Sequence, residues 1–271
     1  INIANKMKIT VWVKDVFGNE TIEDFKLNRE GATIAANNPM GVTWMVFIEN
    51  SNYKSFASLD GPAKDVTLMK SALANYKFSN IVHKKDMTKA DLDKFLSIEL
   101  RDLIKANKVN SLMIWYAGHG KFQNNTGYWI PTDAKVDEEY SYFSIATLKS
   151  YMQSYSLVHT LVITDACESG PTFLVAMRAG TELKKCDDWT KTKFKSAQVF
   201  TSAGFELAAD NSQFTKTFAN TLINNPDGCI AIDKVVEKVK QSVKAKGLQE
   251  PKFGKISGLE DEGGTFFFMK K

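Results

Sequence analysis

Two short stretches carry side chains suited to acyl-transfer chemistry. In "LVITDACESG", residues 161–170, an apolar, β-branched run ends against Cys167, with Asp165 two positions before it. In "SLMIWYAGHGK", residues 111–121, a second apolar run ends against His119, which stands between two glycines. A thiol is a strong nucleophile only as thiolate, so it needs a base, a cation or a helix N-terminus nearby. His119 is a candidate base, and glycines on both sides let the backbone leave a strand abruptly and keep the imidazole accessible. The amides of Gly120 and Cys167 are candidates to stabilise a developing oxyanion. The substrate of such an assembly is an amide or an ester. Taken singly, a cysteine after a buried strand is more often a small core residue, and a histidine at a strand end more often structural. Their joint placement favours catalysis.

The elements that must position this pair can be read from hydrophobic patterning. "VTWMVFIEN" (42–50), "SLMIWYA", "HTLVITD" (159–165) and "AQVFTSA" (197–203) are continuous apolar runs, as expected of strands covered on both faces. Helical stretches at about 62–77, 88–107 and 144–155 alternate with them, and "NIVH" (80–83) reads as a short strand. The pattern predicts an α/β fold with a mostly parallel central sheet sandwiched between helices. In such sheets working residues sit in loops beyond the carboxyl ends of the strands. His119 and Cys167, 48 positions apart, should therefore open on the same edge. Ahead of this domain, residues 7–27 show two alternating runs around "FGN", the pattern of a β-hairpin. The Gly- and Pro-marked segment "NREGATIAANNPMG" reads as a linker. The expected organisation is an N-terminal hairpin and linker over 1–41 and a main domain over 42–271.

Composition narrows the classes. With 271 residues and 44% hydrophobic content the chain can bury a large core. Its 35 basic and 31 acidic residues leave a charge of only +4, so no nucleic-acid partner is expected. No run approaches the roughly 20 apolar residues of a membrane span, and the N-terminus lacks the order of a signal peptide. Cys167, Cys186 and Cys229 are too few and too scattered for a disulfide framework or a metal set. An unpaired thiol suits a reducing compartment, which slightly favours the cytoplasm. "GHGK" is not a phosphate loop, since the upstream glycine is missing and Phe122 stands where Ser or Thr is required. There is no G-x-S-x-G elbow. His83 and His159 read as packing or edge residues, and "TFFFMKK" as a final buried strand.

"YAGHG", "DACESG" and the interval between them resemble the caspase-like cysteine peptidases, in particular the metacaspase and bacterial caspase-like branch. "VFIENSNYKSFASLDGPAKDVTLM" is similar to the family's first strand and the Asp-bearing loop and helix after it, and "TGYWIPTDA" to the segment that follows the His loop. "QEPKFGKISGLEDEGGTFFF" resembles a closing segment of bacterial members, so the likeness extends over about 42–271.

The resemblance implies a cysteine endopeptidase with His119 as general base and Cys167 as nucleophile. Asp165 matches the acidic residue at the base of the S1 pocket, which implies a protein or peptide substrate with Arg or Lys at P1. A carboxylate in a partly enclosed cleft needs such a cation; the competing reading is that Asp165 caps the following turn. Asp210 in "ELAADN" resembles a second acidic pocket residue. The Lys-rich stretch 171–196 resembles an activation loop, with Arg178, Lys184, Lys185, Lys191 and Lys193 as candidate self-cleavage positions. It lacks the acidic cluster that calcium would need for its six to eight oxygens, so no cofactor is expected. The alternative function is a non-catalytic interaction module of caspase fold.

Overall fold

A computed structural model describes residues 8–14, 20–26, 38–166, 174–177, 191–202, 212–246 and 251–271. The chain divides into two compact units, Ile1–Pro39 and Met40–Lys271. In the first, β1 (Lys8–Lys14) pairs antiparallel with β2 (Glu20–Lys26), from Lys14 opposite Glu20 to Lys8 opposite Lys26. This is the hairpin that the alternating runs predict.

The second unit opens with β3 (Thr43–Glu49), α1 (Gly61–Leu73) and β4 (Asn80–Lys85). Next come α2 (Lys89–Lys94), a π turn (Phe95–Glu99) and α3 (Leu100–Ala106), then β5 (Ser111–Ala117). Three short strands follow, β6 (Gly120–Gln123), β7 (Thr126–Trp129) and β8 (Phe143–Ser144), and then α4 (Ile145–Gln153) and β9 (His159–Asp165). The remainder is β10 (Leu174–Met177), β11 (Ser196–Thr201), α5 (Gln213–Ile223), β12 (Cys229–Ala231), α6 (Ile232–Ala245), β13 (Lys252–Ile256) and β14 (Phe267–Met269).

Local chemistry sets the helix starts. Thr88 and Asp91 form a reciprocal capping box ahead of α2, and Ser144 and Ser212 accept backbone N–H bonds at the heads of α4 and α5. The single helix expected over 88–107 is interrupted by the π turn, whose buried Phe95 and Leu96 pack into the core.

The main sheet has the order β10-β13-β11-β9-β5-β3-β4. Strands β11, β9, β5, β3 and β4 run parallel; at one side β13 pairs antiparallel with β11, and β10 pairs antiparallel with β13. Every residue of β3, β5 and β9 is buried, because side chains alternate between two covered faces. Met45, Phe47, Met113, Trp115, Leu161 and Ile163 pack with α1, α5 and α6. Val46, Ile48, Ile114, Tyr116 and Val162 pack on the other face with α2, α3 and α4. The fold is the mostly parallel, helix-sandwiched sheet that the patterning predicts. Strand β14 pairs with β12 in a separate two-stranded sheet.

Candidate active site

The register of the parallel strands sets the site. Glu49 of β3 lies opposite Ala117 of β5, and Ala117 opposite Asp165 of β9. The chain therefore leaves β5 toward His119 and β9 toward Cys167 from the same level of one sheet edge. Cys167 itself lies outside the described residues, as do Asp210, Arg178, Lys184 and Lys185.

His119 is held from several directions. Its Nε2 lies 2.8 Å from the carbonyl of Ala57. A carbonyl only accepts, so Nε2 carries the proton, and in the neutral ring Nδ1 keeps its lone pair. The same orientation by a partner on the far nitrogen is what a general base needs. The Tyr53 ring meets the imidazole edge-on at a centroid distance of 4.7 Å, and Phe56 lies at 5.8 Å. The backbone N–H of His119 donates to Tyr53 Oη at 2.8 Å, and its carbonyl accepts from Tyr116 Oη at 2.8 Å and from the Ile130 N–H at 3.0 Å. Gly118 is required by this crowding: a Cβ there would stand 2.6 Å from Tyr53 Oη and 2.9 Å from Tyr116 Oη. Gly120, the candidate oxyanion residue, opens β6 opposite Trp129.

The loop that supplies Tyr53, Phe56 and Ala57 is itself tied down. Fully buried Asn50 donates from Nδ2 to the Ile130 carbonyl at 3.2 Å and accepts the Met87 N–H at 2.9 Å. The Asp86 carboxylate accepts the backbone N–H groups of Ser51 and Asn52 at 2.8 and 2.9 Å. Burial pushes its carboxyl up, but the hydrogen bonds from Asn52 and Ser51 outweigh this and hold it below its ordinary value.

Asp165 is buried, and its Oδ2 accepts the Thr215 hydroxyl of α5 at 2.6 Å. Ser202, just beyond β11, donates its N–H to the Thr164 carbonyl at 3.0 Å. The two described ends of the segment carrying Asp210 thus both reach the carboxyl end of β9. A second carboxyl, absent from the sequence-based list, belongs to the same place. Asp65 on α1 is pushed up to about 8, first by burial and then by the negative charge of Asp165, against a smaller opposing pull from Lys216. One acidic residue in a helix reads from sequence as solvated charge, and only the packing of α1 against α5, the helix that carries Lys216 and the Asp165 partner Thr215, reveals it.

Among the lysine candidates, Lys191 and Lys193 bound a single 3-10 turn. Thr192 between them is buried, and its carbonyl accepts from His159 Nε2 at 2.9 Å. His159, expected to be a packing or edge residue, is buried at the start of β9 and also bonds Ser196 Oγ through Nδ1 at 2.9 Å. Cys229 is disulfide-bonded, so the scattered cysteines do carry one bridge. Among the described residues no helix is long and apolar enough to cross a membrane.

Comparison with known proteins agrees with this architecture. The crystal structure of caspase-1 from Spodoptera frugiperda superposes with a TM-score of 0.56 at 13% identity, covering 79% of this chain and 88% of that one. At that identity the likeness shows the fold alone. No curated protein matches the chain. The family model for the caspase domain matches residues 43–259, from the first residue of β3 to beyond β13, and the chain therefore belongs to the caspase-domain family of cysteine peptidases.

Proposed function

We propose that the protein is a cysteine endopeptidase of caspase fold that cleaves after Arg or Lys through a Cys167–His119 dyad. The observation that carries this reading is the common starting level of the two loops, Ala117 opposite Asp165, with a histidine on one whose Nε2 proton is already committed to Ala57. In the reaction, His119 Nδ1 takes the Cys167 thiol proton and the thiolate attacks the scissile carbonyl. The oxyanion is held by the Gly120 and Cys167 amides, and the imidazolium protonates the departing amine. Water, deprotonated by the same nitrogen, then hydrolyses the thioester and restores the thiol.

Asp165 and Asp65 support the basic preference. Two acidic groups placed together in a partly buried site are costly, and a guanidinium or ammonium offsets that cost through charge-assisted hydrogen bonds. Asp210 is a further candidate for this pocket. In the same reading residues 42–271 form the peptidase unit, and self-processing falls within the stretch from Arg178 to Lys193.

The test is a fluorogenic peptide panel with Arg, Lys, Asp or Asn at P1, run on native protein, Cys167→Ala and Asp165→Ala. The reading requires cleavage of Arg or Lys peptides, abolition by Cys167→Ala and loss of the basic preference in Asp165→Ala. A folded native protein that cuts none of the panel, even after limited proteolysis of the 171–195 stretch, favours a non-catalytic interaction module instead.

A further inference from the structure

The loop after β3 does more than supply the Ala57 carbonyl. Among the described residues, Tyr53 is the one side chain that touches both the ring and the backbone of His119: its ring packs edge-on against the imidazole at 4.7 Å, and its hydroxyl accepts the His119 N–H at 2.8 Å. Tyr116 closes the other side, donating to the His119 carbonyl at 2.8 Å. The two phenols also hydrogen-bond each other, and Tyr116 is fully buried. The peptide of His119 is therefore gripped at its N–H and its C=O by a linked phenol pair. Tyr53 is itself buried and anchored in a cluster with Tyr128, Ile130 and Tyr142.

We propose that Tyr53 is a positioning residue for the general base, fixing the backbone and the ring plane of His119 so that Nδ1 faces the nucleophile. This rests on the Cys167–His119 reading above. A phenol hydroxyl is an economical choice for the role. It accepts the His119 N–H and donates its own proton onward to Tyr116, so both buried hydroxyls are satisfied. The ring edge limits imidazole rotation, and the Ala57 carbonyl selects the tautomer. Without the hydroxyl, the His119 N–H loses its partner and the loop regains freedom at the position where the base must be aimed.

The experiment compares native protein with Tyr53→Phe and His119→Ala. It reads peptide kinetics and the pH dependence of Cys167 alkylation by iodoacetamide, with the label located by mass spectrometry. Tyr53→Phe keeps the ring and loses only the hydroxyl. We expect kcat to fall about tenfold with KM changed less than about twofold. The Cys167 alkylation curve should move part of the way toward that of His119→Ala. A purely structural role would leave that curve in place once folding is matched by circular dichroism. If Tyr53→Phe does not fold, Tyr116→Phe carries the same expectation, since it removes the hydroxyl that binds both Tyr53 and the His119 carbonyl. Native-like kcat and alkylation in the folded variant overturn the proposal while leaving the dyad intact. If instead His119→Ala alkylates Cys167 as the native protein does, the dyad itself fails and the role of Tyr53 falls with it.

Discussion

Asp65 on α1 stands within the field of Asp165 at the end of β9, and burial first, then that neighbouring charge, keeps its carboxyl protonated up to about pH 8. If the proposed basic preference holds, a cationic P1 side chain reverses the balance, because it favours the ionised form of Asp65. Binding of an Arg or Lys substrate is then coupled to release of a proton. The KM for basic peptides should fall as pH rises toward 8, by at most about tenfold per pH unit. Asp65→Asn should flatten that dependence and weaken the preference for Arg over neutral P1. The linkage to folding has the opposite sign. The folded-state value is raised, so the contribution to stability is complete below the unfolded value near 4 and is lost as pH rises from there to 8. His159 titrates in the opposite sense below pH 6.5, so the Asp65 effect is read above it: denaturant midpoints measured from pH 6.5 to 8 should decline in the native protein and decline less in Asp65→Asn.

The strands that position the site are legible in the sequence for a definite reason. Thr43–Glu49, Ser111–Ala117 and His159–Asp165 are buried on both faces, so each appears as an unbroken apolar run and each ends at a change to polar or glycine residues. Strand β13 is not legible, because "KFGKI" mixes lysines with a glycine at the side of the sheet where burial is incomplete. The histidine is legible through its glycines, whereas its orienting partner, the carbonyl of Ala57, is a backbone atom without a sequence signature. Asp65 is hidden for another reason: its neighbour Asp165 is 100 positions away, and the helix that carries it gives no hint of which strand end it will face.

His159 makes a second, separable pH prediction. Buried between Ser196 and the Thr192 carbonyl, it is pushed down to about 4, chiefly by burial, with the bond to Thr192 working weakly the other way. The unfolded value is near 6.5. Stability from this group is therefore complete above pH 6.5 and is lost as pH falls toward 4, by about 3 kcal/mol in all. Because Asp65 shifts stability the other way over this range, the loss is read as the difference between native protein and a His159 variant in equilibrium denaturation at pH 7 and pH 4.5. His159→Gln should be less stable than native at pH 7 and should lose less on acidification. Equal slopes in the two proteins would remove His159 from the account.

The acidic turn "LEDEGG" holds the chain just before β11. The Lys195 N–H donates to Glu262 Oε2 at 2.8 Å, its ammonium pairs with Glu260, and its carbonyl accepts the Gly264 N–H at 3.1 Å. Gly264 cannot carry a side chain, because a Cβ would overlap the Phe194 carbonyl oxygen and lie 2.8 Å from that of Lys195. These are backbone atoms already committed to the turn. Gly264→Ala should therefore cost about 2–4 kcal/mol and should make Lys195 newly sensitive to trypsin. Denaturation midpoints and the mapped tryptic fragments check both effects.

The same fastening bears on which bond the proposed self-processing would use. A peptidase of this kind takes its substrate as an extended segment laid along the cleft, and Lys193 is poorly placed to provide one. It closes a 3-10 turn with Lys191, and Thr192 before it is buried with its carbonyl bound to His159. Two residues after it, Lys195 is held through its N–H, its carbonyl and its ammonium. Extending the chain across Lys193 would break these bonds together, and each buried polar group left unpaired costs about 1–3 kcal/mol. Processing should therefore fall on the N-terminal side of this turn, at Arg178, Lys184 or Lys185. Lys193→Gln should leave the fragment pattern unchanged, and mass spectrometry of the newly formed N-terminus should find it before Thr192. A fragment beginning at Phe194 in native protein at pH 7 would show that the fastening opens during processing and does not restrict it.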